Sequence, residues 1–117
     1  MLIKVLKGKL HNATVTATKI HYSGSLGVCS KLMQAAGIVP YEAVMIADID
    51  NGARLETYAI PAEQEGGIEV LGAAAKLIEK GHRVIIMSYA LMTPEEAKSW
   101  KPKTVVLGEN NKIEKII

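Results

Sequence analysis

The dipeptide Asn51-Gly52 stands between two runs, AVMIADID (43 to 50) and ARLETYAI (53 to 60), both rich in aliphatic residues. Asn-Gly is the preferred pair for a two-residue type I′ turn, because both positions need a positive φ and the turn's twist matches the strands it joins. The middle of the chain is therefore predicted to be an antiparallel hairpin, and the fold has to be built around paired strands. The first twenty residues, MLIKVLKGKLHNATVTATKI, interleave polar with branched residues at a period near two, which predicts strands near 2 to 7 and 12 to 19. RVIIMSYAL (83 to 91) is a continuous apolar run of strand type, and KTVVL (103 to 107) closes the set.

Between these strands the connections are short. Ser30 can cap a helix over KLMQAA, which Gly37 ends in the left-handed conformation open to glycine. Gly66-Gly67 marks a turn, and Ala73 to Lys80 reads as a second short helix stopped at Gly81. Thr93-Pro94-Glu95-Glu96 carries a capping residue, a proline in the first turn and a glutamate three after the cap, so a helical turn follows. The charged last ten residues are expected to fray. Six or so short strands with small helices between them describe a β-barrel or sandwich in a single domain of 117 residues.

Composition limits what such a barrel can do. Hydrophobic residues make up 49% of the chain but aromatics only 4%, with no Phe, so the core is thin and aliphatic and a homo-oligomer is expected to bury the remainder. A net charge of +2, with 14 basic and 12 acidic residues scattered along the chain, leaves no electrostatic footprint for nucleic acid. The single Cys29 forbids an internal disulfide and reads as a buried filler. With no signal-like start and no apolar run near the ~20 residues that cross a bilayer, a cytoplasmic, membrane-free protein is expected. His11, His21, His82 and Cys29 lack metal-ligand spacing, and no phosphate-binding glycine loop is present, so no metal is expected.

Gly24-Ser25, inside HYSGS (21 to 25), leaves two readings open. Gly and Ser populate turns for conformational reasons alone. Alternatively the Ser25 hydroxyl attacks the Gly24 carbonyl just before it, in a backbone fold that glycine at 24 permits by lacking a Cβ.

Six segments occur together: GKLH (8 to 11), HYSGS (21 to 25), AAGI (35 to 38), NGARLETYAI (51 to 60), GAAA (72 to 75) and PEEAKSWKP (94 to 102). In order and spacing the chain resembles the pyruvoyl-dependent aspartate 1-decarboxylase family over nearly its whole length. The resemblance implies a six-stranded double-psi β-barrel with short helices in the connections, assembled as a tetramer with active sites between neighbouring subunits. It also implies an inactive precursor. Ser25 Oγ would attack the Gly24 carbonyl in an N-to-O acyl shift, and elimination and hydrolysis would then leave a β chain of residues 1–24 and an α chain of 25–117. The α chain would begin with a pyruvoyl group derived from Ser25, a covalent, self-made cofactor.

By the same resemblance Thr57 supplies a donor to the oxyanion of the acyl shift. The pyruvoyl ketone would form a Schiff base with L-aspartate, and loss of CO₂ would give β-alanine, a precursor of pantothenate, with Tyr58 as proton donor. Lys9 and Arg54 would bind carboxylates, and Gly72, Ala73 and Ala74 match a substrate-binding segment of small residues. His11, Tyr22 and Ile86 are expected to line the pocket. Strand alternation puts residues 54 and 58 on one face and 57 on the other, so the resemblance alone brings Thr57 into the site. Two positions depart from the family pattern: Leu71 stands where Asn is common, and Ala47 where a large aromatic is frequent. Some relatives mature with an accessory protein. The competing readings are a non-enzymatic small barrel, such as a DNA-binding regulator, and a ligand-binding module without self-processing; an uncut chain would favour either.

Overall fold

The central hairpin forms in the computed structural model, which describes residues 1–117. Strand β4 (Ala43–Asp48) pairs antiparallel with β5 (Arg54–Ala62), Ala43 opposite Tyr58 and Ala47 opposite Arg54. The turn, however, is not the expected two-residue type I′, since Gly52 has φ 78° but Asn51 does not share a positive φ. The Asp48 carboxylate accepts the Asp50 N–H at 2.8 Å and Asn51 Oδ1 accepts the Ala53 N–H at 2.9 Å. Short polar side chains thus compete for the turn's donors and open a five-residue loop, 49 to 53.

Upstream, the two expected N-terminal strands are one long strand, β1 (Ile3–Thr14), and a short continuation, β2 (Ala17–Lys19). They are followed by β3 (Ser25–Cys29) and helix α1 (Ser30–Ala36). Downstream of the hairpin come β6 (Ile68–Leu71), a 3₁₀ turn (Gly72–Lys76), β7 (Arg83–Met92), α2 (Pro94–Ser99), β8 (Lys103–Leu107) and β9 (Ile113–Ile116). The strands lie in the order β2-β6-β3-β5-β4-β7-β1-β8-β9. Because β1 and β2 are successive pieces of one chain segment, that segment pairs with β7 and β8 at one end of the order and with β6 at the other. Thr16 clasps this closure: its N–H donates to the Ile68 carbonyl at 2.8 Å, and its hydroxyl accepts the Ile68 N–H at 3.0 Å.

The architecture is mainly β and barrel-like with short helices in its connections, consistent with the double-psi barrel, and it has nine strands where six were expected. Three of its pairings, β1 with β8, β2 with β6 and β3 with β5, are parallel and need long crossovers, which give the barrel its interlocked path. The core is a cluster of 21 buried residues, led by Leu10, Leu26, Leu32, Ile46, Ile68, Ile78, Ile86 and Leu107, and none is aromatic.

Local signals fare unevenly. The Thr93 capping box is present, the Glu96 N–H donating to Thr93 Oγ1 at 3.1 Å, and Gly37 ends α1 at φ 75°. Ser30 is not the cap of α1: Cys29 holds that position without a side-chain bond, because the buried strand β3 runs directly into the helix. The expected helix over 73 to 80 is only the 3₁₀ turn. The C-terminal residues do not fray. β9 pairs with β8, and buried Asn111 accepts the Thr14 N–H at 2.7 Å while donating to the Thr14 and Gly66 carbonyls at 2.9 and 2.8 Å.

Candidate active site

Ser25 is the first residue of β3, and only 3% of its surface is exposed. The strand lies between β6, with Ser25 opposite Leu71, and β5, with Leu26 opposite Ala59. Stepping the parallel register back by two residues brings Gly24 level with Thr57, and stepping the antiparallel one brings Gly24 level with Gly72. Pairing with β6 on one side, and with β5 from the next residue on, therefore fixes the hydroxyl-bearing residue, while Gly24 sits just outside the ladder and is exposed.

A cavity of about 300 Å³ opens there, lined by Gly24, Leu55, Glu56, Thr57, Leu71, Ala73, Ala74 and Leu77. The fold thus brings together four expected site residues, Gly24, Thr57, Ala73 and Ala74, with Ser25 adjoining in the chain. Gly72, at φ 80°, backs directly onto the Gly24 main chain. Alanines 73 and 74, in the 3₁₀ turn after β6, keep this wall low.

Other expected residues lie apart from the cavity. Along β5 burial alternates, with Arg54, Glu56 and Tyr58 exposed and Leu55 and Thr57 half-buried, and the pairing with β4 runs without a register shift that would relieve the alternation. Tyr58 is 37% exposed, and its ring stacks at 6.2 Å between centroids on that of Tyr41. Lys9 and His11 are half-buried on β1, opposite Thr104 and Val106 of β8. The Nδ1 atom of His11 is buried without a hydrogen-bond partner. The Tyr22 side chain is exposed, with the Lys19 ammonium 5.8 Å from its ring centroid. Ile86, expected to line the pocket, is fully buried in the core of the single chain, opposite Leu10 and Ile46, and does not line the cavity.

Neighbouring atoms do not require glycine at 24. A Cβ built there meets no atom within 4 Å, whereas one built on Gly72 would lie 2.6 Å from Gly24 Cα. The steric demand for glycine falls on Gly72, the residue that faces Gly24. Leu55, Glu56 and Leu77 were not read as site residues; Leu55 was legible as the alternation partner of Thr57.

One group of metal-type donors was missed by linear spacing because it joins two strand ends: ligand atoms of Asp48, Asp50 and His82 lie within 4.8 Å of one another. These atoms serve the fold. His82 Nδ1 is 2.7 Å from Asp48 Oδ2, and Asp50 Oδ2 accepts the Arg83 N–H at 2.7 Å. The hydrogen bond to Asp48 raises the His82 pKa above the ordinary histidine value. A larger groove of about 630 Å³ beside Cys29, Lys31 and Lys112 contains none of the expected site residues.

Comparison with known proteins bears on this site. A family model described as aspartate decarboxylase matches residues 1–114. A protein of Clostridium beijerinckii named aspartate 1-decarboxylase is 49% identical over 117 residues, covering 99% of this chain and 94% of its own. Proteins of the same name from Campylobacter jejuni and Carboxydothermus hydrogenoformans are each 50% identical, with 99% of this chain and 92% of theirs covered.

Proposed function

The chain belongs to the aspartate decarboxylase family, and from that premise we propose that it cuts its own backbone between Gly24 and Ser25 and uses the ketone so formed to convert L-aspartate into β-alanine. Decarboxylation of aspartate itself follows from 49–50% identity, over nearly the full length, to proteins of that name, and the non-enzymatic readings are not favoured.

What supports self-cleavage is the placement of one peptide bond. Ser25 is buried and paired with Leu71 of β6, and Gly24 lines a cavity that Thr57 also lines. In the acyl shift the Ser25 oxygen adds to the Gly24 carbonyl carbon and the C–N bond breaks, leaving an ester and a free amine on residue 25. The carbonyl oxygen is negative in between, and the Thr57 hydroxyl is the donor assigned to it. Loss of the Ser25 α-proton then expels the Gly24 carboxylate, and water releases ammonia from the new α-chain terminus. Gly24 thereby becomes the end of a chain of residues 1–24.

The pyruvoyl group fits the space available, because Gly72, Ala73 and Ala74 leave a cavity of about 300 Å³ beside the scissile bond, the scale of a small-molecule site. Once formed, that group supplies a ketone that takes up the electron pair left when the α-carboxylate departs. The chain's own side chains bind and move protons. Arg54 presents a planar fork and Lys9 a compact charge to the two carboxylates of aspartate, and the Tyr58 phenol carries the proton that returns to carbon. Tyr22 and His11 complete the proposed surroundings.

Since Arg54 and Tyr58 face outward on β5 and Lys9 lies on β1, away from the cavity lining, a single chain does not gather these groups around one substrate. A second copy closing over that face does, which is the physical case for a tetramer with shared sites. The one observation that carries the proposal is the buried Ser25 beside a small-walled cavity holding Gly24 and Thr57. Intact-mass spectrometry tests it. Two fragments meeting at 24/25, the second lacking a free amine, are expected, and Ser25→Ala should remain whole and release no CO₂ from aspartate. A whole wild-type chain that decarboxylates aspartate would overturn it.

A further inference from the structure

Resting on the self-cleavage reading, we propose that Gly72 is a positioning residue for that reaction: its missing side chain lets the end of β6 close on Gly24 and hold the Gly24 carbonyl within reach of the Ser25 hydroxyl. The two glycines are level with each other because Ser25 is opposite Leu71 in the antiparallel register. A Cβ on Gly72 would stand 2.6 Å from Gly24 Cα, 3.0 Å from Gly24 N and 3.0 Å from the Tyr22 carbonyl oxygen. All three are main-chain atoms, so no side chain can swing aside to admit it.

The contact matters for chemistry because of how the scissile peptide is held. Ser25 is fixed by its pairing with Leu71 of β6 and by burial. Gly24 is exposed, and a Cβ built on it meets nothing within 4 Å, so nothing on its side-chain face restrains it. A glycine linked to exposed residues has wide φ/ψ freedom. Among the contacts described, the main chain at Gly72 bears directly on Gly24 and narrows that freedom. Moving from 2.6 Å to an ordinary carbon–carbon contact displaces Gly24 by on the order of 1 Å, and a misplacement of that size at a reacting centre costs on the order of 10²-fold in rate.

Gly72 also has φ 80°, so any replacement adds backbone strain that must be separated from the collision. Gly37 provides the control: its φ is 75°, and a Cβ there meets nothing within 4 Å. Asn tolerates the left-handed region far better than Ala yet brings the same Cβ. The test uses freshly purified full-length wild type, Gly72→Ala, Gly72→Asn and Gly37→Ala. Appearance of fragments 1–24 and 25–117 is timed by intact mass, with and without hydroxylamine, and folding is checked by thermal melting.

Wild type and Gly37→Ala are expected to cleave at similar rates, and both Gly72 variants about 10²-fold more slowly. Where Gly72→Ala fails to fold, Gly72→Asn carries the measurement. Hydroxylamine cuts an accumulated ester at the Gly24 carbonyl, releasing 1–24 as its hydroxamate. A positioning defect prevents the ester from forming, so hydroxylamine should not rescue the Gly72 variants. Rescue to the wild-type rate, or unaided cleavage by a folded Gly72 variant within about threefold of wild type, overturns the role of Gly72 while leaving self-cleavage intact. A wild-type chain that stays whole overturns both.

Discussion

Replacing Thr57 by valine tests the proposed oxyanion donor. The register puts Gly24 level with Thr57, and both line the same cavity of about 300 Å³. On the proposed reading, the Thr57 hydroxyl donates to the oxygen that develops on Gly24 during the acyl shift. Valine keeps the volume and β-branching of threonine, and its strand partner Val44 is untouched, so melting should change by only a few degrees. Losing one such donor costs about 10² to 10³ in rate, equivalent to about 2.7–4 kcal/mol of barrier. Precursor purified in the cold and then warmed, sampled on denaturing gels, should show fragments 1–24 and 25–117 accumulating that much more slowly. Thr57→Ser, which keeps the hydroxyl, should stay within about tenfold of wild type. A Thr57→Val half-time within threefold of wild type would refute the assigned donor.

Three further outcomes follow from the same geometry. Asn111→Ala removes three hydrogen bonds at a buried site, worth together about 3 kcal/mol or about 10 °C in melting temperature for a chain of this size, and a drop under about 3 °C would show that the C-terminal segment is not anchored there. His82 has its pKa raised by the hydrogen bond to Asp48, so its stabilisation is full below 6.5 and is lost as pH rises through the higher folded-state value; the melting temperature of His82→Gln should lack the fall that wild type shows above pH 6.5. Glu56 lines the cavity with a carboxylate, so Glu56→Gln should lower KM for aspartate about twofold at low salt, with the difference vanishing near 0.5 M salt, and a raised KM would contradict this placement.

Alternation and turn residues made most of the barrel legible, and the exceptions have identifiable physics. The hairpin was read from its pattern over 43 to 60, but its turn was not, because Asp48 and Asn51 bond the loop N–H groups that a type I′ turn leaves free. β3, with the sequence SLGVC, carries weak strand propensity, and pairing on both sides with chain segments 33 to 46 residues away makes it a strand. β9 was read as a frayed end because its charges are visible and the Asn111 clasp to Thr14 and Gly66 is not. In the site, period two correctly separated Thr57 from Arg54 and Tyr58. It could not show that the steric need for glycine lies at 72 instead of 24, since that depends on a register between β3 and β6.

The aromatic residues argue for a shared site more directly than the small core does. With no Phe, the chain has only Tyr and Trp, and Tyr22, Tyr41, Tyr58 and Trp100 are all exposed, Tyr41 by 77%. Aromatics are the side chains that stabilise most when buried, and interfaces between proteins are enriched in them. Tyr41 packs against Tyr58, which shares the outward face of β5 with Arg54. A neighbouring copy covering that face can deliver its Lys9, which within one chain sits on β1 away from the cavity lining. Subunit mixing decides the matter. Ser25→Ala chains keep Lys9 but should make no ketone, and Lys9→Ala chains make the ketone but lack the cation. If each site draws Ser25 from one copy and Lys9 from the next, unfolding and refolding the two inactive proteins together in equal amounts, with the Lys9→Ala chains already cleaved, should restore about a quarter of wild-type activity per chain. If both residues serve from one chain, no mixture contains a complete site, and activity should stay at the level of the Lys9→Ala protein alone.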